Sequence, residues 1–172
     1  MSWNELMLRW GRDGSGKTQY TREGQLHTAS SLYTSVAGSA EIYAAFVTGD
    51  LPVVFFERNI GRSGAGVSAT IFRNSTYTGG TPVPTYNTND LNPVESTVNI
   101  YQQVTLGTLG EQTTATAYAV GNITGSGQGG IASLGNPVYI QPNTIHLLRI
   151  TNLDTSVTAF ISAEIAWYEG YL

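Results

Sequence analysis

The pattern that most limits how this chain can fold lies near its C-terminus, in residues 157–169. Every second residue there is apolar, and six positions share this file: Val157, Ala159, Ile161, Ala163, Ile165 and Trp167. The residues between them are mixed and partly polar. Because successive side chains of a strand point to opposite faces, a repeat of two predicts a strand with one face in a core.

A second strand-like segment, residues 144–151, precedes this one, and residues 151–156 (T-N-L-D-T-S) have the composition of a turn. We therefore expect the two segments to pair as a long antiparallel hairpin that forms the spine of the fold. Six further strands are predicted, at residues 40–47, 52–58, 67–73, 97–104, 113–120 and 137–140. Many short strands separated by turns indicate an all-β fold, an antiparallel β-sandwich of jelly-roll type.

Two segments are predicted to be loops without regular structure. Residues 77–92 are rich in Gly, Pro and Asn, and residues 121–135 are rich in Gly. The length of 172 residues fits one domain with a substantial core. We divide the chain into an N-terminal helix or arm with a polar linker, residues 1–30, and a β-sandwich domain, residues 31–172.

The N-terminal segment 2–10 reads as a short helix. Ser2 and Glu5 form a capping box, and Gly11 is a natural stop. Four apolar residues fall on one stripe of that helix: Trp3, Leu6, Met7 and Trp10. Burying each would contribute roughly 1.5–3 kcal/mol, and so short a helix must dock on something to be stable. It packs either on its own domain or on a neighbouring subunit, and the four residues are our candidate assembly contacts.

The composition argues against several classes of function. Charged residues make up 12% of the chain, about half the usual share, and the net charge is −4, so nucleic acid is not an expected partner. The chain has no cysteine, which excludes disulfides and thiolate chemistry. It also lacks a long apolar run and a signal peptide, so we expect no membrane contact and synthesis in the cytoplasm.

Residues 11–18 read G-R-D-G-S-G-K-T, a literal match to the phosphate-binding P-loop. Residues 53–57 (V-V-F-F-E) even resemble the acid-ended strand that holds magnesium in such proteins. A P-loop, however, needs a strand before it, a helix after it and alternating βα units, and none of these is indicated here. We interpret the segment as a flexible basic linker and expect no cofactor.

No catalytic or metal-binding constellation stands out. His27 and His146 occur without a ligand motif, and His146 alternates with Leu148 and Ile150 as a residue at the edge of a core would. Four carboxylates could form a glycosidase pair only through geometry that the sequence does not show, and we interpret them as strand-end or edge charges: Asp50, Glu57, Glu164 and Glu169. We therefore expect a protein that is not an enzyme.

Aromatic and amide residues in the segment 77–92 leave a binding function open. Tyr77, Tyr86, Asn87, Asn89 and Asn92 could stack against and hydrogen-bond sugars, or could equally pack between subunits.

Several motifs in sequence order resemble a family of small virion structural proteins of tailed bacteriophages. They are L-H-T-A-S-S-L-Y-T-S-V-A-G-S-A-E-I (26–42), T-P-V-P-T-Y-N-T-N (81–89), V-N-I-Y (98–101), G-S-G-Q-G-G (125–130), Q-P-N-T-I-H-L-L-R-I-T-N (141–152) and I-A-W-Y-E (165–169). Together they span most of residues 26–169. The resemblance implies a non-enzymatic β-sandwich that decorates a capsid.

The resemblance also implies partners and a location. We expect a capsid decoration, or cement, protein in the virion, bound across subunits of the major capsid protein or to another virion protein. A homo-oligomer is expected and a trimer is favoured, since a closed ring lets one N-terminal arm per subunit grip the shell. The alternative is a tail or fibre domain that binds host surface glycan through residues 77–92.

Overall fold

The computed structural model describes residues 25–64, 66–91, 93–120, 132–133 and 137–170, and every regular element in these ranges is a β-strand. In chain order the strands are β1 (Leu26–Val36), β2 (Glu41–Val47), β3 (Val53–Arg62), β4 (Gly66–Arg73), β5 (Tyr77–Thr78), β6 (Thr81–Val83), β7 (Tyr86–Asn87), β8 (Asn99–Gln102), β9 (Thr105–Leu106), β10 (Glu111–Gln112), β11 (Ala117–Val120), β12 (Ala132–Ser133), β13 (Val138–Ile140), β14 (Ile145–Asn152) and β15 (Ala159–Glu169). The helix predicted over residues 2–10 lies outside the described residues.

The strands form two antiparallel sheets that pack face to face. Sheet A has the order β12-β3-β15-β1-β7, with β13 also paired to β3. Sheet B has the order β10-β4-β14-β2-β8-β6, with β11 also paired to β4. The eight principal strands thus run β13-β3-β15-β1 in one sheet and β11-β4-β14-β2 in the other, which is the jelly-roll order. The predicted antiparallel β-sandwich is confirmed.

The predicted hairpin between β14 and β15 is wrong. β14 lies in sheet B between β2 and β4, and β15 lies in sheet A between β1 and β3. Residues 153–158 are long enough to cross the roughly 10 Å between packed sheets. The crossing places each of the two strands near the centre of a different sheet.

Four of the six residues in the predicted apolar file are buried, and Ile165 is partly buried. Ala159, Ile161 and Trp167 have no exposed surface, and Ala163 is also buried. Val157, the first member of the apolar file, is half exposed because it precedes the strand. The buried file meets apolar side chains of both sheets, so the core lies between the sheets.

Residues 74–110 form an insertion between β4 and β10 that extends both sheets. β8 and β6 add to β2 in sheet B, whereas β7 adds to β1 in sheet A. The insertion also covers the outer face of sheet B, where Val104 packs on Ala45 and Leu147. The prediction that residues 77–92 lack regular structure is wrong, since they contain β5, β6 and β7. Gly79 and Gly80, both with positive φ, allow the turn between β5 and β6.

β1 was missed by the sequence prediction, which placed a linker up to residue 30. The strand begins at Leu26 and crosses the predicted domain boundary. Its outward positions are mostly Ser and Thr, so the segment reads as polar, although Ala29, Tyr33 and Val36 are buried. β1 pairs with β15 over nearly its whole length, and this pairing makes it a strand although its composition resembles that of a linker.

Candidate functional site

The four predicted assembly contacts, Trp3, Leu6, Met7 and Trp10, lie outside the described residues, as does the P-loop-like segment 11–18. The acid-ended segment 53–57 belongs to β3, which pairs antiparallel with β13 and β15. A P-loop is built on parallel strands joined by helices, so this setting does not match the metal-binding strand of a nucleotide site.

One buried polar cluster lies at the end of the sandwich where the insertion leaves and re-enters, which we call the insertion end. Glu169, the last residue of β15, is only 3% exposed. Its Oε2 accepts hydrogen bonds from the Thr97 N–H and hydroxyl, both at 2.8 Å. Its Oε1 accepts from Trp167 Nε1 at 2.8 Å and from the Ser96 hydroxyl. The carboxylate therefore ties the insertion to the centre of sheet A.

His27 completes this cluster from β1. Its Nε2 is 3.8 Å from Glu169 Oε1, and its ring stacks on Trp167 with centroids 5.6 Å apart. Burial lowers the pKa of His27, while the nearby Glu169 acts in the opposite direction. Burial alone would raise the pKa of Glu169, but its four hydrogen bonds outweigh burial, so the pKa is lowered. A charged carboxylate with saturated hydrogen bonds holds the fold together and is poorly suited to acid–base catalysis.

Of the other candidate carboxylates, Asp50 is exposed in the turn between β2 and β3, and Glu57 is half-buried in β3. Glu164 is exposed on the outer face of sheet A, and its strand β15 is central, not an edge. The interpretation as a strand-end or edge charge is therefore wrong for Glu164, whereas Glu169 does lie at a strand end but is buried. Among the described residues, no three His, Asp or Glu side chains meet as possible metal ligands.

A polar cleft of about 470 Å³ lies at the insertion end, between β13 of sheet A and β4 and β14 of sheet B. Its lining includes Arg73, Thr113, Gln141 and Thr144. Arg73 donates two hydrogen bonds to Glu111 Oε2, from Nε at 2.9 Å and from Nη2 at 2.6 Å. Planar, paired polar groups of this kind can hydrogen-bond the hydroxyl groups of a neutral ligand.

His146 separates this cleft from the apolar core. A row of directly opposed residues crosses the inner face of sheet B, in the order Val83, Ile100, Phe46, His146, Arg73 and Glu111. The first four are buried and the last two reach solvent. Burial and the neighbouring Arg73 lower the pKa of His146 to about 4, so the ring is neutral at pH 7. The prediction that His146 lies at the edge of the core is confirmed.

Residues of the segment 77–92 mostly serve the insertion itself. Tyr77 packs on Tyr101, with ring centroids 5.8 Å apart. The Asn87 amide donates to Val94 O at 2.8 Å, and its Oδ1 accepts from the Asn89 N–H at 2.7 Å. Tyr77 and Asn87 are therefore already engaged, which leaves fewer groups of this segment for a sugar.

The opposite end of the sandwich, which we call the turn end, carries three short turns, which include residues 37–40, 63–64 and 153–158. Buried Asn152 joins two of them. Its Nδ2 donates to Val36 O at 3.0 Å, Ala37 O at 3.1 Å and Val157 O at 2.9 Å. Its Oδ1 accepts from the Asp154 N–H at 3.1 Å. The backbone of the turn end is thus held in a fixed arrangement.

Apolar side chains project into solvent at the turn end, and we call this group the turn-end patch: Leu32, Val120, Leu153, Val157 and Phe160. A Cβ added to Gly66 would lie 3.3 Å from Val120 and 3.5 Å from Leu153, so these two side chains flank the same glycine. Leu32 lies opposite Ser162, which makes it a diagonal neighbour of Phe160 on the outer face of sheet A. Val120 and Leu153 therefore lie on the outer face of sheet B, whereas Leu32 and Phe160 lie on the outer face of sheet A.

Sequence reasoning missed the turn-end patch. A signal existed in residues 153–160, where Leu153, Val157 and Phe160 interrupt an otherwise turn-like composition. Their separation from Val120 and Leu32 in the sequence hides the fact that all five share one end. The described part of the chain contains no helix long and apolar enough to span a bilayer.

Comparison with known proteins adds little to this picture. No protein-family model matches the chain, and no curated protein matches it. Among solved structures, the chain aligns with the D431N mutant VP2 protein of infectious bursal disease virus, in derived T=1 particles. The alignment covers 82% of this chain and 40% of that chain, with 13% identity and a TM-score of 0.16. A TM-score that low carries no argument about fold or function.

Proposed function

We propose that this protein is a non-enzymatic structural component of a tailed-bacteriophage virion, and specifically a decoration protein that stabilises the capsid. It binds across joints between subunits of the major capsid protein and adds contact free energy there. The motif resemblance over residues 26–169 supports the phage assignment, and the jelly-roll sandwich agrees with what that resemblance implies.

The observation that carries the proposal is the contrast between polar groups that are satisfied and apolar groups that are exposed. The buried carboxylate of Glu169 accepts its hydrogen bonds from groups of the same chain. Phe160 and Val157, by contrast, remain at least half exposed on a rigid scaffold. Such a molecule is suited to adhesion, because contiguous exposed apolar surface marks a contact with other protein.

Contact with the shell is assigned to the N-terminal residues Trp3, Leu6, Met7 and Trp10. The test is occupancy of purified capsids by the full chain, by a deletion of residues 1–12 and by the double variant Trp3→Ser/Trp10→Ser. We expect both altered proteins to keep the circular dichroism of a folded sandwich and to lose capsid binding. Full occupancy by either of them would contradict the assignment.

The polar cleft supports a second candidate, a tail or fibre domain that binds host glycan. The cleft offers Arg73, whose guanidinium is paired with Glu111, and the side chains of Gln141 and Thr144. Here we expect glycan-array binding that Arg73→Ala abolishes, while Arg149→Ala, which removes a different paired arginine, leaves it intact. An array without a hit would remove this candidate.

A further inference from the structure

We infer that the core of the sandwich contains a binding site for a small carboxylate with a short alkyl tail, in a cavity whose wall includes the buried guanidinium of Arg58. The inference does not rest on the proposed function. Three features of the core carry it: the division of the core into two clusters, the size of the cavity between them and the charge in its wall.

The apolar core between the two sheets is divided. One buried cluster lies around Phe55 and Trp167 towards the insertion end, and a second lies around Ile150 and Ile161 towards the turn end. A domain usually has one contiguous core. Here a cavity lies where the two clusters come closest, and its wall takes side chains from both of them: Phe46, Phe55, Ile100, Ile60 and Ala163.

This cavity is central in the sandwich. Leu148 of β14 and Ile165 of β15 line it from the inner faces of their sheets, as does Ala44 of β2. All three side chains keep partial exposure. Each of the three strands is flanked by neighbours within its own sheet and faced by the other sheet. The partial exposure is therefore exposure to the cavity, in a place where sandwich cores are normally close-packed.

The size of the cavity limits what it can hold. Its free volume is about 50 Å³, counted as the space open to the centres of water molecules. A single buried water needs about 10–15 Å³ of such space, so the cavity has room for about three to five waters or an alkyl tail of about that many carbons. Buried waters need polar partners, and most of the lining side chains are apolar. An alkyl tail fits these walls better than water does.

The charge in the wall selects the head group of the ligand. Arg58 is only 6% exposed and lies directly opposite Ile165 on the inner face of sheet A. Burial lowers the pKa of its guanidinium, because the charge has lost hydration. Arg58 also interacts within its own chain, but its several N–H donors can serve a second acceptor. His146, the other buried polar side chain in the wall, is neutral at pH 7, and Glu164 belongs to the outer face of sheet A. A carboxylate matches the fork of the guanidinium and supplies the missing negative charge.

A ligand in this cavity would contact both apolar clusters and bind the folded chain alone, so it should raise the Tm by mass action. The test is thermal unfolding of the full chain with sodium butyrate, hexanoate or decanoate, with hexanol as the uncharged analogue and sodium chloride at matched ionic strength. We expect a saturable rise in Tm with hexanoate. Hexanol, which lacks the charge, and decanoate, whose tail exceeds the cavity, should bind at least about tenfold more weakly.

Variants of the cavity wall locate the site. Ala163→Leu fills the cavity and should abolish the rise in Tm with hexanoate. Arg58→Met keeps an apolar side chain of similar length, and hexanoate and hexanol should then bind about equally. Arg149→Ala is the control, because it removes an arginine that lies over Phe72 on the outer face of sheet B and should leave hexanoate binding unchanged.

Should Ala163→Leu fail to fold, Ala44→Val is the milder way to fill the same space. Nuclear Overhauser effects between hexanoate and the methyl groups of Leu148 and Ile165 are expected in the wild-type protein. The inference is overturned if none of the carboxylates gives a saturable rise in Tm, or if a folded, cavity-filled variant still binds hexanoate. Equal affinity of the wild-type protein for hexanol and hexanoate would contradict the role assigned to Arg58.

Discussion

The two ends of this sandwich differ in which side chains they bury and which they expose. The insertion end gathers buried polar groups around Glu169 and pairs them within the chain. The turn end satisfies its backbone through Asn152 but leaves Val157 and Phe160 in solvent. Buried polar groups are thus hydrogen-bonded within the chain at the insertion end, whereas apolar side chains remain exposed to solvent at the turn end.

The difference separates stability from assembly. A buried, saturated carboxylate cannot be removed without stranding its donors, so changes at the insertion end should be costly to folding. Exposed apolar side chains add little to the fold of a single chain, so changes at the turn end should act on association instead. The following predictions test that division, beginning with the largest expected effect.

Glu169→Ala should produce the largest loss of stability. The substitution leaves Trp167 Nε1, the Ser96 hydroxyl and two Thr97 donors without their acceptor in a buried site. We expect the free energy of unfolding in urea to fall by about 3–5 kcal/mol. Glu164→Ala, on the exposed outer face of the same strand, is the matched control and should change it by no more than about 0.5 kcal/mol. Equal losses of unfolding free energy in the two variants would show that the buried carboxylate stabilises the fold no more than the exposed one does.

His146 should make stability depend on pH in the mildly acidic range. Its folded pKa of about 4 lies below the ordinary value, so as pH falls the unfolded chain takes up the proton first. The stabilisation is present above pH 6.5 and is lost as pH falls towards 4. Between about pH 7.5 and about pH 4.5, wild type should lose about 2–3 kcal/mol more than His146→Gln.

Urea unfolding of both proteins at the two pH values measures this difference. His27 also has a lowered pKa and contributes in the same direction in both proteins, so the comparison isolates His146. Parallel pH profiles for the two proteins would show that His146 is not held neutral between Arg73 and the core.

Phe160→Ser should have the smallest effect on the fold. The free energy of unfolding in urea should change by no more than about 0.5 kcal/mol. The Phe160 side chain is mostly in solvent, so its removal opens no cavity. A loss above 2 kcal/mol would mean that Phe160 packs within its own chain and that the two ends are not divided as described.

The fold class was predictable because alternation in β15 reports directly which face is buried. The pairing partners of each strand were not predictable. The same alternation is expected whether the next strand along the chain pairs with β15 or lies in the facing sheet. This is why β14 was assigned to β15, although it pairs with β2 and β4. β1 was missed for a related reason, because Ser and Thr on its outward face resemble a linker.

The functional features were less predictable than the fold. The contact between Ser96 and Glu169 joins residues 73 positions apart, and neither sits in a recognisable motif. The turn-end patch likewise combines residues from three distant segments, so only the folded chain brings them to one end of the sandwich. His146 was the exception, because its position in an alternating strand fixed it at the edge of the core.

Hydroxyl-radical footprinting of the native full-length protein tests the division between the two ends most directly. Phe160 is 57% exposed at the turn end, whereas Trp167 has no exposed surface at the insertion end. The account predicts that Phe160 and Val157 are oxidised in the dilute wild-type protein while Trp167 is protected, each compared with the same residue of the chain unfolded in urea. Equal protection of Phe160 and Trp167 would contradict it.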